Sequence, residues 1–212
     1  MHCGVDEAGR GSVMGPLVVG AVWVEDDDVL SKIGVRDSKK LTPKTRKKMY
    51  DMIVERADAW TTVMISASDI DARRKEISLN DIELDMFSEA ISAHPCDIAY
   101  ADCPDVNEDK FSARLGASLQ DVEIIAKHKA DDMYPVVSAA SIVAKVTRDR
   151  IIEELHVELG DFGSGYPSDH YTMDFITDWM KENNCPPPHT RRSWEPVRQM
   201  ISAKAVRRLD EW

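Results

Sequence analysis

Asp6 and Glu7 stand side by side in the segment Gly4-Val5-Asp6-Glu7-Ala8-Gly9-Arg10-Gly11. Adjacent like charges repel, and a strand would send the two side chains to opposite faces. Such a pair suggests a task. Two carboxylates are hard oxygen ligands suited to a divalent cation. Gly9, Arg10 and Gly11 add bare backbone amides and one guanidinium, donors that suit a phosphate or a sugar. The combination points to metal-assisted chemistry on a nucleic acid. With 38 acids in 212 residues, an Asp-Glu pair also arises readily by composition, so the rest of the chain must carry the case.

Two more acids, Asp102 and Asp131, follow segments with strand character. Acids this far apart in sequence converge only through a sheet. Carboxylates arranged in that way can hold two divalent ions about 3.5–4 Å apart. Such a site needs oxygen ligands rather than histidine or cysteine. From spacing alone, ordinary loop acids explain Asp102 and Asp131 equally well.

The elements that must position these residues are legible in part. Residues 2–8 and 17–24 read as strands, the second apolar and β-branched enough to be buried, with a turn from Gly9 to Pro16 making them an antiparallel pair. Thr42-Pro43 starts a helix, Thr42 capping and Pro43 in the first turn, that runs to about Ala59. A strand is expected over 60–66. A helix capped by Asn80 carries the apolar stripe Ile82, Met86, Phe87, Ala90 and Ile91 and ends at His94-Pro95. Strands over 97–101 and 121–126 would deliver Asp102 and the Lys127–Asp131 segment. Ser138 opens a buried helix to about Leu159, a glycine-rich loop spans 160–169, and helices cover 172–183 and 194–211. Strands followed by alternating strands and helices predict an α/β fold with a mixed central sheet.

The net charge of −11 excludes a uniformly basic nucleic-acid binder. The charges are segregated, however. Arg36, Lys39, Lys40, Lys44, Arg46, Lys47 and Lys48 crowd one stretch, and Arg191, Arg192, Arg198, Lys204, Arg207 and Arg208 another. Basic runs are commonly solvated helix faces; two on an acidic chain also suit a phosphate-binding surface. No stretch reaches the roughly 18 apolar residues of a membrane span, and the first residues lack the basic and apolar stretches of a signal peptide, so none is expected. Cys3, Cys96, Cys103 and Cys185 lack zinc spacing and read as buried free thiols of a reducing cytosol.

Taken together, several segments resemble the ribonuclease HII family, in particular the archaeal type related to the catalytic subunit of eukaryotic ribonuclease H2. They are Asp6-Glu7-Ala8-Gly9-Arg10-Gly11, Asp37-Ser38-Lys39-Lys40-Leu41, Asp102-Cys103-Pro104, Lys129-Ala130-Asp131, Tyr134-Pro135, Ser138 through Val146, Gly163 through Asp169, and Arg192-Ser193-Trp194. The resemblance runs from Val5 to about Trp194. It implies a ribonuclease H-like fold, with a catalytic domain over 1–159 and a C-terminal helical extension over 160–212. It also implies an endonuclease that hydrolyses the RNA of RNA/DNA hybrids and cuts on the 5′ side of ribonucleotides embedded in duplex DNA. The chemistry would be two-metal catalysis with Mg²⁺ or Mn²⁺, leaving 5′-phosphate and 3′-hydroxyl ends.

The same resemblance assigns catalysis and metal binding to Asp6, Glu7, Asp102 and Asp131, the last chosen over its neighbour Asp132. It assigns Gly9-Arg10-Gly11 to the 2′-OH and phosphate, the groups that tell RNA from DNA. Tyr166 matches a tyrosine that stacks on the deoxyribose beyond a ribonucleotide. Lys39, Lys40, Ser141 and Lys145 are candidates for phosphate contact. A monomeric cytoplasmic enzyme of DNA replication and ribonucleotide excision repair, without a membrane partner, is the expectation. The alternatives are another nuclease of the same fold, such as a Holliday-junction resolvase or ribonuclease HI, and a hybrid-binding scaffold without catalysis.

Overall fold

Apolar residues on both faces make Leu17–Val24 a fully buried strand, β2, which pairs antiparallel with β1 (His2–Ala8) so that Asp6 lies opposite Gly20. The structure, a computed structural model, describes residues 1–35 and 42–210, the side chains of 204–210 excepted. Lys39 and Lys40 lie outside the described residues. The remaining strands are β3 (Ala59–Ile65), β4 (Ile98–Asp102) and β5 (Glu123–Lys127). The sheet order is β3-β2-β1-β4-β5, with β4 parallel to both β1 and β5. The α/β class and the mixed sheet flanked by helices are as expected.

The helices are α1 (Asp28–Ile33), α2 (Pro43–Arg56), α3 (Ala67–Arg73), α4 (Leu79–Ile91), α5 (Glu108–Ala117), α6 (Ala130–Met133), α7 (Pro135–Leu159), α8 (His170–Asn183) and α9 (Glu195–Asp210). The Thr42 hydroxyl caps α2 by accepting from the Thr45 amide, as its sequence position predicts. Helix α4 corrects one expectation. Its cap is Ser78, which shares a reciprocal capping box with Asp81, and Asn80 sits inside the first turn. The two-way exchange satisfies two amides where an asparagine cap would satisfy one. The same helix ends at Ile91, short of His94-Pro95. Helices α1, α3, α5 and α6 were not expected. None of the described helices is long and apolar enough to cross a membrane.

Contacts group the chain into two compact units. The first comprises Met1–Ala8, Val18–Met64 and Ser78–Arg148. One face of its sheet is covered by α1, α2 and the first turns of α7, around Val22, Val24, Leu30, Ile53, Val136 and Ile142. Gly20 is what lets α7 come this close: a Cβ there would lie 2.5 Å from the Ala140 carbonyl oxygen and 2.8 Å from the Ala144 nitrogen. On the other face α4 packs on β1 and α5 on β5, and the two helices meet through the edge-on rings of Phe87 and Phe111. The second unit comprises Gly9–Leu17, Ile65–Ile77 and Asp149–Trp212. Its core gathers Val13, Met14, Ile152, Leu155, Phe162, Ile176, Met180 and Val197. Among the thiols, Cys3 and Cys103 are buried, whereas Cys96 is half-buried and Cys185, two residues past the end of α8, is exposed, correcting the expectation for those two residues.

Candidate active site

The parallel strands β1, β4 and β5 end at one edge of the sheet, and three acids mark that edge. Asp6 is near the end of β1, Asp102 is the last residue of β4, and Asp131 lies in α6, just beyond β5. Open α/β sheets bind ligands outside the carboxyl ends of their strands. Lys129 takes the left-handed conformation (φ 58°), which turns the chain sharply from β5 into α6. The next amide, that of Ala130, donates a 2.7 Å hydrogen bond to Asp102 Oδ1. Asp131 is buried at 5% exposure, while Asp132 is exposed.

Adjacent on β1, Asp6 and Glu7 are not kept apart by strand alternation: the Glu7 carboxyl is hydrogen-bonded to that of Asp6. Asp6 faces α7, where it is hydrogen-bonded to Ser141, and its Oδ1 accepts from the Glu7 amide at 2.7 Å. Lys145 Nζ donates to Ser141 Oγ at 2.7 Å, so a cation stands one hydroxyl away from the acid. Burial, and then the Asp102 charge, push the Asp6 carboxyl up to about 7 against the opposing pull of Ser141, Lys145 and the Glu7 amide. Glu7 is pushed well above the usual carboxylate range by burial and by the charges of Asp6, Glu83 and Asp102. Its Oε2 is buried without a hydrogen-bond partner. Glu83, on α4, is fully buried; sequence reasoning missed it, because it occupies a polar-looking position inside an apolar stripe.

A buried cluster of carboxyls is disfavoured unless protons or a cation neutralise it. Among the described residues no three acid, histidine or cysteine side chains form a ready-made metal cage. The donor set nonetheless fits a hard divalent cation: the acids offer carboxylate oxygens, and one of them, Glu7 Oε2, is orphaned.

In the second unit, Gly9 turns the chain with φ 88°, a conformation favouring glycine, and its carbonyl accepts from the Ser12 amide and hydroxyl. The Val13 and Met14 amides both donate to the Gly165 carbonyl, at 2.8 and 3.1 Å. The segment after Gly9-Arg10-Gly11 is therefore tied to the residue immediately before Tyr166. That loop is pinned in turn by Asp169 Oδ2, which accepts from the Ser164 amide and hydroxyl at 2.7 and 2.8 Å. Thr172 Oγ1 accepts from the Gly165 amide and donates to the Phe162 carbonyl.

Residues 3–197 match the family model described as Ribonuclease HII. The chain belongs to the ribonuclease HII family. It is 46% identical over 205 residues to the ribonuclease HII of Methanospirillum hungatei, covering 96% of each chain. Its fold superposes on the ribonuclease H2 of Pyrococcus horikoshii with a TM-score of 0.91 at 40% identity, over 96% of this chain and 98% of the other. The ribonuclease HII of Archaeoglobus fulgidus, solved in a complex with PCNA, gives 0.89 at 39% identity, over 94% and 96%. Family membership makes the chain a hydrolytic nuclease of the ribonuclease H class.

The sequence-derived residues thus fall into two groups. Asp6, Glu7 and Asp102 interact electrostatically, Asp131 follows the amide that holds Asp102, and Ser141 and Lys145 adjoin Asp6. Gly9, Arg10, Gly11 and Tyr166 belong to the second unit. Arg191, counted among the basic residues of a surface run, is instead completely buried. Its setting had no signature in the sequence beyond the neighbouring Arg192-Ser193-Trp194.

Proposed function

We propose that this member of the ribonuclease HII family hydrolyses the RNA strand of RNA/DNA hybrids and cuts on the 5′ side of ribonucleotides embedded in duplex DNA. The observation that carries the reading is the delivery of Asp6, Asp102 and Asp131 by three neighbouring parallel strands, with the orphaned Glu7 oxygen beside them. Asp6, Glu7, Asp102 and Asp131 are the residues that would hold two Mg²⁺ or Mn²⁺ ions. When bound, the ions supply Lewis-acid charge for hydrolysis of a phosphodiester to 5′-phosphate and 3′-hydroxyl ends.

The chain's own residues have three tasks. The four acids keep the site rich in hard oxygen donors. Ser141 and Lys145 hold the Asp6 carboxylate in one orientation and offset part of its charge. Gly9-Arg10-Gly11 offers amides and a guanidinium to the 2′-OH and the phosphate, and Tyr166 offers a ring face to the deoxyribose that follows a ribonucleotide. Discrimination against all-DNA duplexes comes from the 2′-OH contact: donors left unpaired by a missing hydroxyl lose affinity.

A labelled long RNA/DNA hybrid, incubated with the full chain and Mg²⁺ beside an all-DNA duplex, tests this reading. Cutting of the RNA strand alone, abolished by a chelator, supports it. Binding of the hybrid without cutting under Mg²⁺ or Mn²⁺ replaces it with a hybrid-binding protein.

A further inference from the structure

Arg191 is fully buried. Its Nη1 donates to the Arg10 carbonyl at 3.0 Å and its Nε to the Gly15 carbonyl at 3.1 Å. Its own amide donates to the Val13 carbonyl at 2.8 Å, and the Gly15 amide returns a bond to the His189 carbonyl at 2.9 Å. One guanidinium therefore fixes both ends of the 10–15 segment. Only a planar fork with divergent donors can address two carbonyls in this way; a lysine ammonium is a point charge on a flexible stem.

The guanidinium is itself held in place. It lies over the Trp194 ring at 4.8 Å, and Arg74 lies over the same ring at 4.7 Å. The backbone between Arg191 and Trp194 is clamped to α3: Asp71 accepts from the Arg192 amide at 2.7 Å and from the Ser193 amide at 3.0 Å. Arg74, which caps α3, also reaches Ser193 Oγ at 3.4 Å. A chain of contacts thus runs from α3 through residues 191–194 to the backbone of Arg10. Burying a charge is costly unless it is hydrogen-bonded, so the use of an arginine here calls for a reason beyond filling space.

We infer that Arg191 is a positioning residue for recognition of the ribonucleotide, acting through the backbone of Arg10. The inference rests on the proposed reading of Gly9-Arg10-Gly11 as the segment that contacts the 2′-OH and its phosphate. Arg191 touches no reacting atom. It sets where the Arg10 amide and guanidinium stand, and thereby where the scissile phosphate is held.

The test is a double-mutant cycle of Arg191→Lys and Arg10→Ala in the full chain, measuring kcat and KM on a duplex with one embedded ribonucleotide in Mg²⁺. A misplacement of about 1 Å in a positioning segment lowers turnover by about 100-fold. Arg191→Lys should show a loss of that order in kcat, with KM changed by less than about 3-fold. In the Arg10→Ala background the same change should cost less than in the wild type, because the guanidinium it positions is already gone and residues acting as one unit are non-additive. Near-UV circular dichroism and Mn²⁺ titration establish that each variant is folded and retains its acidic site. If Arg191→Lys does not fold, Trp194→Phe enters the same cycle, with the same non-additivity expected. Wild-type kinetics in a folded variant, or losses that multiply in full with Arg10→Ala, overturn the inference. A wild-type chain that cuts no ribonucleotide-containing substrate overturns instead the functional reading beneath it.

Discussion

Asp102 Oδ1 accepts a 2.7 Å hydrogen bond from the Ala130 amide, so the carboxylate that ends β4 holds the residue preceding Asp131. The acid is thus both a charge at the sheet edge and a brace for the turn into α6. Asp102→Asn keeps an oxygen that can accept this bond and removes the charge. It should lower hybrid cleavage by about 1000-fold, the upper range for loss of a preorganised electrostatic group, while the metal-free protein melts no lower than wild type. Cleavage rates and melting curves on the same preparations check both halves.

The raised Asp6 carboxyl predicts how the metal-free protein responds to pH. Asp6 ionises at about 7 in the folded chain against 3.8 as the reference value. Between those values the folded state binds the proton and the unfolded state does not. Stability should therefore fall as pH rises from about 4 to about 7. Glu7, raised in the same direction, adds to the decline. Asp6→Asn should flatten the profile. Chemical denaturation in chelator at a series of pH values measures the slope.

A divalent cation should reverse that loss. If the acids bind Mg²⁺, a free concentration about 100 times Kd adds about 2.7 kcal/mol to unfolding. The gain should be larger at pH 8 than at pH 5, where protons occupy part of the site. Equal melting temperatures with and without Mg²⁺ at pH 8 would remove these acids as metal ligands.

Gly20→Ala tests the close approach of α7 to the sheet. The added Cβ meets backbone atoms of Ala140 and Ala144, so the helix must shift. Overpacking of this kind costs about 1–3 kcal/mol. Because α7 carries Ser141 and Lys145, activity should fall by more than the change in folded fraction. Denaturant melts together with kcat give the two quantities.

Tyr166→Ala should remove a stacking platform. Base–aromatic stacking contributes about 1–3 kcal/mol, and a similar magnitude is expected for a ring on a sugar. Cleavage at a single embedded ribonucleotide should fall about 10-fold or more by that measure, with a smaller effect on long hybrids, where RNA continues past the cut. Competition between the two substrates in one tube reads the ratio directly.

The sheet and its acids were the most legible part of the sequence. The β-branched run of β2, the glycine- and proline-bounded turn before it, and the Thr42-Pro43 start of α2 each rest on local rules. The short helices carried less information: α1 and α3 span 6 and 7 residues, too few for a hydrophobic period to show. In α1, Asp28 sits in the first turn, where a negative charge favours the helix, yet it stands in an acidic run, Glu25–Asp28, that carries no helical period. Glu83 and Arg191 were illegible for another reason. Nothing in a sequence marks a charged residue as buried; that depends on partners distant along the chain, β1 for Glu83 and the 10–15 segment for Arg191.

The most direct test of the central claim is end-group mapping on a labelled DNA duplex carrying one ribonucleotide, with Mg²⁺, for wild type and Asp6→Asn side by side. The account predicts one cut, on the 5′ side of the ribonucleotide, leaving a 5′-phosphate and a 3′-hydroxyl. It also predicts that Asp6→Asn is folded and does not cut. A folded Asp6→Asn variant that cuts at the wild-type rate would contradict the account, as would a wild-type cut that also appears in the all-DNA duplex.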